Sequence, residues 1–513
     1  MEPQAARFFG WFVAVLLAVA PAIAEDASAP GDVPHGDKAL AAGAPVADAA
    51  IATAGDVSKA EASAPEAAPA AKTASRVRVE LDARGELFAP AGRDAEPVRE
   101  PIIVSARFDF LERQAAVRDA VARRDYREAR AEVRVADRST AVALPSDARE
   151  IEVALRGTTP TPYLSDAFLA HEEAELLDTP FDSLLLDGLL PGDPVAVGAS
   201  WTVPADATAG MLAIDTLESG GLEAALTGVE AGVATVRLTG IIDGAVDGVP
   251  THLIVEGECT ATATAGDDGT APWRLTNMRA VAVVIRERRQ ASHVAPGFDI
   301  EARVGVARRP AVATDEDEPG AGPAAAPAER RRGTGRPGLV WHRDRDAGYD
   351  LVCDTRWRVV EDAPTGLVMR LVDRGALVGQ CSLTMLPTGD ALAPPTIAEV
   401  QRDIERSLAG QFARFEQASE ATRSDGVRIV RVVSAGTAEN LPFRWIHHVL
   451  TDATGRRAAA TFMLEASAAG RFAAADREFV DGLAFPADSA TPGSASGAPE
   501  ERAARVPRET LTP

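Results

Sequence analysis

The sequence predicts an α+β protein: a mainly antiparallel β region, followed by a second region in which helices cover a largely antiparallel sheet. Three observations carry this. Apolar alternation broken by turn residues recurs from Leu222 onward. A helical apolar stripe stands behind a capping box at Thr396. The composition, 46% hydrophobic and 25% charged over 513 residues, is that of a globular protein with room for more than one core. Three cysteines cannot staple a chain of this size, so a disulfide scaffold is excluded.

Taken in order, Arg7 is followed by an apolar run over 8–20, then Pro21 and the small-residue site Ala22-Ile23-Ala24. This pattern predicts a cleavable signal peptide over 1–24, because the run is too short for a hydrocarbon core of roughly 30 Å. The mature chain is then expected to be extracytoplasmic, in a periplasm or secreted, with no membrane span. Residues 25–75 are almost wholly Ala, Pro, Asp, Gly and Glu and are expected to be a disordered tether. A disordered linker is expected over 310–338, with an acidic run at 315–318 and Arg330, Arg331 and Arg332 as a solvated basic run, and a disordered tail over 486–513. Two folded regions remain, 76–309 and 339–485.

In the first region strands are expected at 102–108, 129–135, 141–144 and 150–155. A helical patch follows, capped by Ser165 or Asp166 and carrying Leu169, Leu176 and Leu177, and a short helix covers 205–214. An antiparallel meander then runs through 233–238, 241–242, 253–259 and 279–285, with Asp267-Asp268-Gly269 as a hairpin turn. In the second region Tyr349, Leu351 and Cys353 share one face of a strand, and strands 368–372 and 377–385 follow. The helix from Thr396 pairs it with Glu399 in a T-x-x-E box and aligns Ile397, Val400, Ile404 and Leu408. Strands 427–433, 443–450 and 458–464 and a final helix with Phe472, Phe479, Val480 and Leu483 complete the order β-β-β-α-β-β-β-α.

This order resembles the PsbP/DcrB-like fold. The residues that carry the resemblance are the opening strand through Trp357, the stretch 381–387, Leu441-Pro442-x-x-Trp445, Asp452-x-x-Gly455-Arg456 and Phe472-x-x-x-Asp476-x-x-x-Val480. The resemblance covers 339–485 and implies an α/β/α sandwich. Extrinsic photosystem subunits, bacterial envelope lipoproteins and a Ran-binding import factor share that fold, so the implied role is binding or assembly. The acylated cysteine of the lipoprotein branch is missing, and no position accepts a photosystem metal ligand. In the first region Val195-Ala-Val197-Gly198-x-x-Trp201 is similar to β-rich modules of exported bacterial proteins of unknown function.

The charge is −23, and 38 acidic residues face 25 basic ones between 76 and 309, a field that repels nucleic acid. Lys38, Lys59 and Lys72 are the only lysines, which removes a P-loop or Schiff-base lysine from either folded region. Gly333-Thr334-Gly335-Arg336-Pro337-Gly338 matches a dinucleotide string, but no strand precedes it and Pro337 interrupts it. The seven histidines are His35, His171, His252, His293, His342, His447 and His448; none has metal-site spacing, and His171-Glu172-Glu173-Ala174-Glu175 lacks a zincin's second histidine. Asp267-Asp268 and Asp243 with Asp247 sit beside turn glycines and read as turn residues. EF-hand, G-x-S-x-G and S-x-x-K patterns are absent from the sequence.

His447 and His448 point to opposite faces of their strand, and Trp445 with His447 marks the face on which a ligand groove would lie. Cys259, Cys353 and Cys381 have apolar company and read as buried inert thiols. Alternatively Cys353 and Cys381 pair in a disulfide across neighbouring strands of one sheet. No cofactor is implied. The expected function is that of an exported, non-catalytic bacterial envelope protein that binds a protein or small ligand. The alternative is a hydrolase with a histidine and a carboxylate, His293 or His447 among them, in the cleft between the regions.

Overall fold

The computed structural model describes residues 74–89, 98–115, 120–246, 249–265, 272–289, 297–311, 330–344, 347–363, 366–389, 394–438 and 440–486. The expected hairpin turn at 267–269 lies outside them, as do the signal and residues 25–73 of the expected tether, while Ala74 and Ser75 open a strand.

Strict period-two alternation builds the first sheet. In β1 (Ala74–Ala89), Val77, Val79, Leu81, Ala83 and Leu87 are buried while Arg78, Glu80, Asp82 and Glu86 point outward. It is joined by β2 (Val98–Gln114), β3 (Ala122–Val135), β4 (Arg138–Ala143), β5 (Glu150–Arg156) and β6 (Thr159–Tyr163). A connection follows that carries β7 (Leu169–Ala170), helix α1 (His171–Leu176), β8 (Ser200–Thr202) and helix α2 (Ala205–Met211). The meander β9 (Thr216–Glu230), β10 (Val233–Val246), β11 (Val249–Thr264), β12 (Arg274–Arg289) and β13 (Gly297–Pro310) completes the sheet.

Twelve strands lie side by side in the order β6-β5-β3-β2-β1-β13-β12-β11-β10-β9-β8, with β4 beside β3. The first and last strands therefore pair at the centre, and the middle of the sequence leaves from one edge and returns at the other. That returning segment covers the apolar face: Phe181, Leu186, Leu189 and Met211 are fully buried in the same core as Leu81, Leu253 and Val304. Arg124 pins it, donating to Asp182 at 2.6 and 2.9 Å and to Glu112 at 2.9 Å, while Ser183 donates to Glu112 at 2.7 Å. The opposite face is a lattice of exposed cross-strand pairs such as Arg107–Glu80 and Arg288–Asp299.

The C-terminal strands are β14 (Leu339–Asp344), β15 (Tyr349–Asp354), β16 (Trp357–Ala363), β17 (Gly366–Asp373), β18 (Ala376–Leu386), β19 (Phe412–Thr422), β20 (Arg428–Ala438), β21 (Leu441–Thr451), β22 (Arg457–Glu465) and β23 (Leu483–Ala484). The helices are α3 (Ile397–Leu408), α4 (Ala469–Phe472) and α5 (Ala475–Gly482). Seven strands form an antiparallel sheet, β16-β17-β18-β22-β21-β20-β19, and β23-β15-β14-β7 form a smaller one. Helix α3 lays Val400 and Ile404 on Val430 and Val432 on one face. On the other face Trp357, Phe462, Phe472 and Phe479 meet mostly edge to face, with centroids 5.1 to 6.4 Å apart.

The α+β expectation, with its α/β/α sandwich, is corrected here. The described chain is mostly strand in large antiparallel sheets, and α3 with 12 residues is its longest helix. On the face away from α3, the small β15-containing sheet supplies much of the cover, with α4 and α5 contributing only 4 and 8 residues. A bulge in β18 leaves Leu377 56% exposed and buries Val378. The basic run is only partly solvated: Arg332 is 70% exposed, but Arg330 and Arg331 are tied down. The Arg330 side chain is 3% exposed, bonded to Asp147 and Glu173, and Gly335 lies against the carbonyl of Leu164, where a Cβ would not fit.

Candidate functional site

The alternation of β20 and β21 sends Arg431, Val433, Arg444 and Ile446 to the face of the seven-stranded sheet opposite α3. Beyond the end of the aromatic cluster that face opens into a groove of about 300 Å³, lined by these four with Glu416, Gln417 and Phe472 among others. Helix α5 sets Asp476 beneath the arginine at 1% exposure. Arg431 Nε donates to Asp476 Oδ2 at 2.7 Å and its Nη1 donates to Gln417 Oε1 at 3.0 Å. The guanidinium is thus fixed in orientation at the groove wall. Arg444 pairs with Glu416 at 2.8 Å on the same wall.

His448 joins the cluster from below, its Nε2 2.9 Å from Asp476 Oδ2. Burial lowers the proton affinity of this imidazole, Asp476 opposes that, and Arg431 and Arg477 add to it, so the net direction is downward. Burial would raise the Asp476 carboxyl, but His448 and Arg431 outweigh it and hold the pKa below the usual carboxylate range. A neutral imidazole donating to a carboxylate satisfies both directions, and the ion pair belongs to Arg431. Asp476 Oδ1 and His448 Nδ1 are buried without a hydrogen-bond partner.

Trp445 and His447 are on the opposite face of β21 from this groove, facing the α3 side. Trp445 is 4% exposed beside Phe443, and His447 is bonded through Nδ1 to Thr461 at 3.2 Å. Burial, with help from His448, pushes the His447 imidazole down to about 4. The face expected to carry a groove is therefore packed, and the groove uses the alternate residues of the same strand.

Cys353 and Cys381 are buried free thiols, as is Cys259. Cys353 is on β15 of the small sheet and Cys381 on β18 of the large one, so they are not on neighbouring strands of one sheet. Desolvation raises all three thiols, Cys259 to about 12.

Another concentration of polar groups, several of them buried, is the seam where β14 pairs in parallel with β7, joining the two modules. Arg331 donates to the carbonyl of Gly482 at 3.0 Å, and Arg156 bonds to Asp354 at 3.3 Å. His171 contacts Glu175 at 2.9 Å and His342 contacts Asp362 at 3.7 Å, both histidines near 5% exposed or less. His252 is exposed and contacts Asp243, which also accepts from Ser219. His35, His293 and Asp247 lie outside the described residues. Among the described residues, no group of three or more His, Cys, Asp and Glu is arranged to hold a metal, and no helix is long and apolar enough to cross a membrane.

No family model and no curated protein matches the chain. Among solved structures it is similar to the solution structure of cyanobacterial PsbP from Synechocystis sp. PCC 6803, at 13% identity and a TM-score of 0.25, covering 29% of this chain and 93% of that one. It is also similar to OccK5 (OpdH) of Pseudomonas aeruginosa, at 6% identity and TM-score 0.11 over 76% of this chain and 96% of that one. A loop L8 deletion mutant of OmpT, an outer membrane protein of Vibrio cholerae, gives 8% and 0.11 over 76% and 99%. The resemblance to PsbP is weak and partial.

Proposed function

We propose that the chain is an exported, non-catalytic bacterial envelope protein that binds a protein or small ligand in the groove at Arg431. The observation that carries the reading is the guanidinium fixed by Asp476 and Gln417 on a wall that also offers Ile446 and Phe472. A preorganised donor beside apolar surface is what a binding site needs. The signal pattern at 1–24 supports export, and the charge of −23 argues against nucleic acid. The first sheet turns its apolar face to its own connection and its charged pairs outward, the reverse of a lipid-facing barrel. The test places a photoreactive residue at Arg444, on the groove, and at Thr461, on the other face, and exposes the mature chain to envelope extract. A product specific to position 444 and lost with Arg431→Gln is expected; equal labelling at both positions would overturn the reading.

A hydrolase across the seam is the second reading, favoured by the contact of His171 with Glu175. It predicts hydrolysis of simple ester or peptide substrates that disappears with His171→Gln. Unchanged turnover in that variant sinks it.

A further inference from the structure

The side chains of the groove wall still offer hydrogen bonds of one kind. Both oxygens of Glu416 accept, Oε1 from Arg414 at 3.2 Å and Oε2 from Arg444 at 2.8 Å, and Gln417 Oε1 accepts from Arg431. Donors remain. Arg431 engages Nε and Nη1 and keeps Nη2, and Arg444 engages Nη2 alone. Gln417 turns its oxygen to a guanidinium that cannot accept, which leaves its amide N–H groups to donate. Among the described residues these N–H groups have no acceptor.

Charge separates the two ends of the wall. At one end Arg431 is balanced by Asp476; at the other, Arg414 and Arg444 share the single carboxylate of Glu416 and leave one positive charge in excess. Arg444 stands opposite Ala435, four residues along β20 from Arg431, or about 13 Å at the rise of a strand. Between the ends Val433 and Ile446 face each other in register, and Phe472 lines the same groove. The space of about 300 Å³ holds roughly ten water molecules, the bulk of an eight-carbon acid. The charge of −23 on the whole chain acts at longer range and is screened beyond about 8 Å at physiological salt, so the contact groups decide.

We infer, on the reading that this groove is the binding site, that its occupant is a hydrophobic monocarboxylic acid with a second, neutral oxygen at its far end. The carboxylate pairs with Arg444 and neutralises the excess charge. The neutral oxygen, a hydroxyl or a carbonyl, accepts from Arg431 Nη2 and the Gln417 amide, where a second anion would meet Asp476. The hydrocarbon between them lies on Val433, Ile446 and Phe472.

The test titrates the purified chain calorimetrically with ω-hydroxyoctanoate, octanoate, suberate and octanol. The hydroxy acid should bind tightest. Octanoate, which loses a hydrogen bond from a charged donor, should be about tenfold weaker, octanol weaker than octanoate, and the dianion suberate weaker than the hydroxy acid. Arg444→Gln should erase the preference for octanoate over octanol, and Arg431→Gln the advantage of the hydroxy acid over octanoate. If Arg431→Gln does not fold, Arg431→Lys, which keeps the charge beside Asp476 but not the fork, makes the same comparison. Octanol matching the acids, or no binding of the hydroxy acid, would overturn this ligand class while leaving the groove as the binding site wherever the photoproduct at position 444 persists. Loss of that product's specificity removes the groove itself.

Discussion

At the scale of single residues the C-terminal module turns on Asp476, which serves Arg431 and His448 at once. Asp476→Asn leaves the 13% exposed guanidinium without its counter-charge and should cost about 3 kcal/mol in denaturant unfolding, the lower part of the range for a broken buried pair. Its carboxyl is depressed, so the stability it contributes is present above the unfolded carboxylate value of about 3.9 and is lost as the pH falls through the folded value. Acid unfolding of Asp476→Asn should lack that component; an acid limb identical to the wild type would remove the cluster from the account. Cysteine gives a second outcome at this scale. Three thiols should react in denatured, unreduced protein and essentially none in the native fold at neutral pH, because all three are buried and their thiolates disfavoured. A count of one after denaturation would show that two of the three are joined in a disulfide.

Elements differ in how plainly the sequence states them. Thr396 with Glu399 was readable because a capping box is local, and both halves form: the Glu399 amide donates to Thr396 Oγ1 and the Thr396 amide to the Glu399 carboxylate at 2.8 Å. Thr396→Ala should destabilise the C-terminal module by about 1 kcal/mol, measured by chemical denaturation, while Thr396→Asp should be near neutral. Strand β19 was not readable, since nearly every side chain along Phe412–Thr422 is exposed and an edge strand needs no apolar alternation. Strand β1 alternates cleanly but was missed, its first two residues falling in the expected tether, and its pairing with β13 joins residues more than two hundred positions apart, which no local pattern records. The α1 region misled in another way. Leu169, Leu176 and Leu177 suggest a helical patch, but Leu169 belongs to a strand that pairs with the other module. For the candidate groove, period two correctly separated the faces of β21, and chemistry misassigned them: aromatic Trp445 attracted attention, whereas the open wall carries Arg431 and Arg444. What decides is which face α3 covers, and that is tertiary.

For the whole molecule the decisive contact comes from a stretch that composition marks as linker. Its segment 312–329 lies outside the described residues, but the following residues close the two modules on each other: Arg330 binds Asp147 and Glu173 of the first, Arg331 reaches Gly482 of the second, and Arg332 pairs with Asp166. Low complexity predicted disorder because apolar periodicity is absent, and buried ion pairs leave no periodic trace. The Arg330 side chain is 3% exposed and also donates to the Phe168 carbonyl at 3.3 Å, so Arg330→Gln strands two carboxylates that have lost their cation. The loss should amount to about 3 kcal/mol in the hold of this segment on the first module, with the cores themselves intact. Limited trypsin digestion reads it directly. In the wild type Arg331 should resist cleavage because its backbone carbonyl accepts from the Phe168 amide and its side chain is tied to Gly482. In Arg330→Gln, cutting at Arg331 and Arg332 should precede any loss of either core and release two fragments that stay folded. Rapid cutting at these sites in the wild type would return the basic run to the status of a solvated linker.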